Sequence, residues 1–96
     1  MDVVVAYDIA DTQDPVGARR LREVAAVCQR YGSRVQFSVF ECRVSPTAYT
    51  ALVQDLQDVI EDGDSVIIYR FDGTLGDHRV QLASDKGHPL DEPWLL

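Results

Sequence analysis

The sequence predicts an α+β fold with strands and helices in the order β-α-β-β-α-β. Three observations predict it. Residues 3–9 (Val-Val-Val-Ala-Tyr-Asp-Ile) and 65–71 (Ser-Val-Ile-Ile-Tyr-Arg-Phe) are β-branched and apolar runs that suit buried strands. Two stretches between them hold apolar residues at helical spacing. Separating those two stretches, residues 34–44 are rich in strand formers and too long for one strand. That order is the ferredoxin-like split βαβ pattern, an antiparallel sheet with two helices on one face.

The first strand ends at Asp8, and residues 11–17 read as a loop. Pro15 after Asp14 opens a helix over 15–31, because proline's fixed φ suits the first helical position. Leu21, Val24, Ala25 and Cys28 make its apolar face, and Gly32 is expected to stop it in the left-handed conformation. A bend near 36–38 divides the next run into two strands. Ser45-Pro46 starts a second helix, with serine as cap. Tyr49, Leu52, Val53, Leu56, Val59 and Ile60 carry it to Glu61. Asp62-Gly63-Asp64 is a turn into the last core strand. Residues 79–83 suit a short extra C-terminal strand, and the tail 89–96 is apolar enough to dock on its own sheet or a partner chain.

With 96 residues, 46% hydrophobic and 26% charged, the chain is expected to be one domain, 1–96. The core is 1–71, and 72–96 supply the extra strand and tail. No run approaches the roughly 20 apolar residues of a membrane span. No basic segment precedes the first apolar run, so a secretory leader is not expected. Cys28 and Cys42 are therefore read as reduced thiols of a cytoplasmic protein. Two helices cover only one sheet face, so a homodimer that stacks the open faces is expected.

The net charge of −7 argues against a generic nucleic-acid binder. Its distribution argues differently. Residues 19–43 hold Arg19, Arg20, Arg22, Arg30, Arg34 and Arg43 against Glu23 and Glu41, a local +4. The remainder holds 3 bases and 14 acids. This is either a basic patch or an ordinary solvated helix face.

Asp8 is the first candidate for chemistry. A carboxylate ending a buried strand is costly unless it caps, pairs or binds metal. It is either a capping residue or a Mg²⁺ ligand, since Mg²⁺ is held by one or two carboxylates, waters and substrate phosphates. In a two-fold dimer the two Asp8 side chains can converge on the axis and share one ion. Asp11 and Asp14 in the following loop are candidates to assist that site, with turn and capping roles favoured for both. His78 and His88 form no ligand pair, and no Walker A, GxGxxG or CxxC motif occurs.

Several elements together carry a specific resemblance: Tyr7-Asp8-Ile9, then Arg19-Arg20-Leu21-Arg22, Cys28, Tyr31-Gly32, and the run Arg34-Val-Gln-Phe-Ser-Val-Phe-Glu-Cys42, completed by Asp64-Ser65-Val66 through Tyr69-Arg70. Over residues 1–71 the chain resembles the CRISPR-associated protein two family, a small subunit of spacer acquisition. The resemblance implies a Mg²⁺-dependent endonuclease acting on DNA or RNA, with Asp8 as catalytic and metal-binding residue. It implies that Tyr7 lines the same cleft and that Arg19 or Arg20, with Arg22 and Arg34, faces nucleic acid. Ser38 and Phe40 would lie near the dimer cleft. It also implies partnership with the CRISPR-associated integrase. The other reading is a non-catalytic homodimeric DNA-binding adaptor that scaffolds the integrase. A bare interaction domain with no nucleic-acid partner remains open on fold alone.

Overall fold

A computed structural model describes residues 1–82. The elements are β1 (Asp2–Asp8), α1 (Pro15–Tyr31), β2 (Gly32–Gln36), β3 (Val39–Arg43), α2 (Pro46–Val59) and β4 (Ser65–Phe71). A short 3₁₀ turn, Leu75–His78, follows. The sheet order is β2-β3-β1-β4 and every neighbouring pair is antiparallel. This is the ferredoxin-like arrangement, with β1 central.

The local signals explain most boundaries. Pro15 opens α1. Ser45 caps α2, its hydroxyl oxygen accepting the Ala48 N–H at 3.1 Å, with Pro46 next. The break in the 34–44 run falls at Phe37 and Ser38, inside the expected bend. Gly32 departs from expectation. Its φ of −169° is extended, not left-handed, and it begins β2 directly. Glycine is needed there for space, because a Cβ would lie 2.2 Å from the Glu41 carbonyl oxygen.

Side chains alternate along β1 and sort the sheet into two faces. Val3, Val5 and Tyr7 join Phe40 and Cys42 of β3 in the core. Val24, Val27 and Cys28 of α1 and Leu52 and Leu56 of α2 cover them. Full burial of each such side chain contributes roughly 1.5–3 kcal/mol. Val4, Ala6 and Asp8 point the other way. So do Ile67 and Tyr69 of β4, which remain exposed. Among the described residues no helix covers this second face. Segment 74–82 reaches it at two points, where the Leu75 N–H donates to Asp2 Oδ2 at 2.6 Å and Arg79 Nε to Glu41 Oε2 at 3.1 Å.

Residues 79–82, the described part of the expected fifth strand, are not in a strand. Arg79 ties this segment to the Glu41 side chain on the helix-free face. Ala83 and the apolar tail lie outside the described residues. Among the described residues no helix is long and apolar enough to cross a membrane.

Gly17, in the first turn of α1, sits directly beneath the β1–α1 loop. A Cβ there would lie 2.0 Å from the Asp11 carbonyl oxygen. Gly17→Ala is expected to lower stability by roughly 1–3 kcal/mol, the usual range for overpacking against an unyielding neighbour. Urea unfolding measures it as a shift in midpoint with unchanged slope.

Candidate functional site

Asp8 is the last residue of β1 and lies opposite Ser65 of β4. Its side chain falls on the helix-free face and is exposed. The sequence reading treats it as a carboxylate with a burial cost to offset; the structure removes that cost. Directly after it Ile9 returns to the core. Asp11 then takes a left-handed φ of 56° as the loop turns toward α1.

The loop is held by a buried ion pair. Arg20 Nε donates to Asp64 Oδ2 at 2.8 Å, and Arg20 Nη2 to Asp64 Oδ1 at 3.2 Å. The Ala10 N–H donates to Asp64 Oδ1 at 2.9 Å, and the Glu61 N–H to Oδ2 at 2.9 Å. Arg20 Nη2 also donates to the Ala10 carbonyl at 3.1 Å. The backbone two residues past Asp8 is thus clamped on both its N–H and its C=O. Hydrogen bonding from Arg20 dominates the Asp64 carboxyl and, with the two backbone donors, outweighs burial, holding its pKa at about 2.

The remaining expected site residues divide. Tyr7 does not share a face with Asp8. As its neighbour on a strand it points into the core, where its ring stacks at 6.2 Å on Phe40. Burial raises the pKa of its hydroxyl against the opposing pull of the nearby Arg34 guanidinium, which is the polar group beside it, although no partner among the described residues meets it in good hydrogen-bond geometry. Phe40, expected near the dimer cleft, is fully buried among the core residues because it alternates with Val39 and Glu41. Ser38 is at the rim, its carbonyl accepting the Tyr7 N–H at 3.1 Å. Arg20, expected against nucleic acid, is buried in the clasp and unavailable. Arg19, Arg22 and Arg34 are exposed. Arg19 lies 3.8 Å from Glu23; Arg22 has no ion-pair partner among the described residues. Cys28 and Cys42 are buried free thiols, with pKa values pushed by burial to about 12 and about 11. Neither is a nucleophile at neutral pH.

Sequence reasoning missed Asp64, read as a turn residue, and misassigned Arg20. The signal was present. Arg20, Val24, Val27 and Cys28 share one helical face, so Arg20 lies on the buried side and needs a buried carboxylate.

Asp2, on the helix-free face at the far end of β1, is a second fixed carboxylate. Arg43 Nε donates to it at 2.8 Å and Nη2 at 3.1 Å. Those bonds and the Leu75 N–H lower its pKa to about 2.

Asp8 is different: no hydrogen bond or ion pair engages its carboxylate among the described residues. As a hard oxygen donor it suits Mg²⁺. Among the described residues, however, no three His, Cys, Asp or Glu side chains gather into a metal site. On the helix-free face of the sheet, where Asp2 and Glu41 are paired with arginines, Asp8 is the one unengaged carboxylate among the described residues, which fits half of a two-carboxylate site.

Residues 1–75 match the family model described as CRISPR associated protein Cas2. The chain is 42% identical over 81 residues to the CRISPR-associated endoribonuclease Cas2 of Chlorobaculum tepidum, covering 84% of this chain and 83% of the relative. It is 39% identical over 97 aligned positions to the CRISPR-associated endonuclease Cas2 of Halalkalibacterium halodurans, covering all of both. The crystal structure of Streptococcus pyogenes Cas2 at pH 6.5 superposes with a TM-score of 0.75 at 40% identity, covering 88% of this chain and 100% of that one.

The clasp has a testable acid limb. The Asp64 carboxyl is held at about 2 against an ordinary 3.8, so its stabilisation is complete above about pH 4 and is lost as pH falls from there toward 2. Asp64→Asn leaves Arg20 buried and unpaired and is expected to cost roughly 3–5 kcal/mol. Urea unfolding from pH 6 down to 2 is expected to show a shallower loss for the variant than for the wild type, with the remaining slope coming from groups such as Asp2.

Proposed function

This chain belongs to the family of CRISPR associated protein Cas2, and we propose that it is a spacer-acquisition subunit that hydrolyses phosphodiester bonds as a homodimer, at a Mg²⁺ site built from Asp8 of each copy. The observation that carries this reading is the unengaged Asp8 carboxylate, exposed on a helix-free face whose other described carboxylates, Asp2 and Glu41, are tied to arginines. The names endoribonuclease and endonuclease carried by its relatives agree with phosphodiester chemistry.

The exposed Ile67 and Tyr69 on the helix-free face give a second copy apolar surface to cover. A two-fold axis through that face turns one carboxylate per chain into two. Asp8 from each copy would hold the ion, which when bound polarises a scissile phosphate and lowers the pKa of its water. The Arg20–Asp64 clasp limits drift of the Asp8 backbone, so that two independently folded chains present the carboxylates in register. Arg19, Arg22 and Arg34 supply exposed guanidiniums for phosphate oxygens, fixing substrate position without reading sequence. The proposed protein partner is the integrase of the same system.

One observation favours the adaptor reading beside it. On the helix-free face each chain offers a single unengaged carboxylate among the described residues, while Arg22 and Arg34 are exposed without a carboxylate partner among them. Binding without cleavage needs only the arginines.

A Mg²⁺ titration of wild type and Asp8→Ala on duplex DNA and single-stranded RNA separates the two. The nuclease reading expects metal-dependent cleavage by the wild type, background-level products from Asp8→Ala, and the same dimer mass for both. Absence of cleavage by either protein supports the adaptor, and equal cleavage by both removes Asp8 from the chemistry. In either reading Arg22→Ala is expected to weaken nucleic-acid binding and lower the slope of log K against log salt by about 1.

A further inference from the structure

Phe37 occupies the two-residue turn between β2 and β3, and 74% of its surface is exposed. Tight turns favour small or polar residues. A large aromatic ring here adds nothing to the core, which is built from other residues. The ring does have a neighbour. The Arg34 guanidinium lies 5.8 Å from the Phe37 centroid and 5.2 Å from the Phe40 centroid. Phe40 is fixed inside the core, so Arg34 rests on one immobile ring and extends toward one exposed ring. The guanidinium also lies by the Tyr7 hydroxyl, and no carboxylate claims it among the described residues. Arginine held against rings keeps its N–H edge available for oxygen acceptors. The Tyr7 N–H to Ser38 carbonyl bond, 3.1 Å, ties this turn to β1 one residue before Asp8.

We propose that Phe37 and Arg34 form a stacking platform for an unpaired nucleobase at the Asp8 end of the sheet. This rests on the reading of the chain as a nucleic-acid-acting protein and specifies the substrate feature it takes. Every base has a π-face, so stacking on Phe37 is independent of sequence. The Arg34 N–H edge grips the adjoining phosphate. A fully paired duplex keeps its internal bases stacked on each other and presents nothing to the ring. The platform therefore selects splayed ends, flaps or single strands, and DNA and RNA share the chemistry it uses.

The test measures binding of the full chain to labelled single-stranded DNA, single-stranded RNA and a blunt DNA duplex of the same sequence. Divalent metal is chelated so that nothing is cut. Phe37→Leu keeps apolar bulk and removes the π-face. It is expected to weaken binding of unpaired strands about tenfold, to leave the duplex affinity unchanged, and to leave the oligomeric mass unchanged by light scattering. Phe37→Trp, in a Trp94→Phe background, is expected to restore affinity and to show fluorescence quenching by the unpaired strands. The two single-stranded arms report whether the platform favours DNA or RNA. Equal weakening for duplex and single strands overturns the platform, as does a fall in oligomeric mass, which would assign Phe37 to contact with a second copy. Unchanged binding by Phe37→Leu overturns it while the nucleic-acid reading stands. A wild type that binds no nucleic acid at all overturns both.

Discussion

The geometry of the candidate site depends on one buried ion pair. Strand ends fray unless something ties them down, and Asp8 is a strand end. Arg20 and Asp64 come from α1 and from the turn before β4, 44 residues apart in sequence. Between them they bind both polar groups of the Ala10 backbone. Each charge would be costly to bury alone. Together, with backbone donors filling the carboxylate's remaining lone pairs, they make a junction that opens only at large cost. Gly17 completes it by letting the loop lie against the first turn of α1. The free carboxylate at the rim is thus positioned by a carboxylate that is not free.

The second constraint is the period-two alternation of a strand. Tyr7 and Asp8 are neighbours in sequence and belong to different environments. One ring joins the core against Phe40, and one carboxylate faces the helix-free side. The same alternation places Val3 and Val5 inside and Asp2 outside, where Arg43 and the Leu75 N–H neutralise it. A single strand therefore builds the core and the candidate site at once. The helix-free face carries fixed charges at the Asp2 end, apolar Ile67 and Tyr69 along β4, and the unengaged Asp8 at the opposite end. That distribution suits stacking of a second copy with the two Asp8 rims brought together.

Much of this is legible in the sequence because it is local. Ser45-Pro46, Pro15 and the continuous apolar runs state their own conformations, and the element order follows. Asp8 is legible because a carboxylate closing an apolar strand is chemically anomalous. What sequence reasoning lacks is partnership at long range. Arg20 looks like one of four surface arginines until its place on the Val24–Cys28 face is weighed, and Asp64 looks like a turn residue until Arg20 needs it. Gly32 reads as a helix stop, whereas its requirement is the 2.2 Å approach of the Glu41 carbonyl to where a Cβ would stand, a contact set by the sheet and invisible locally. Motif-level likeness likewise groups Tyr7 and Phe40 with Asp8, because it preserves sequence proximity and not the face of the sheet.

In the proposed dimer, Asp8 of two copies converges across the helix-free face. Site-directed crosslinking of Asp8→Cys tests it most directly, and the chain is suited to the experiment because Cys28 and Cys42 are buried, with thiol pKa values raised to about 12 and about 11. Bismaleimide linkers of graded length would be applied to Asp8→Cys and, as a control on the exposed side of α1, to Gln29→Cys. Convergence requires that the shortest linkers capture Asp8→Cys as a covalent dimer while Gln29→Cys stays uncaptured at every length. An Asp8→Cys protein that elutes as a dimer yet is captured by no linker would place the two carboxylates apart and contradict a shared site.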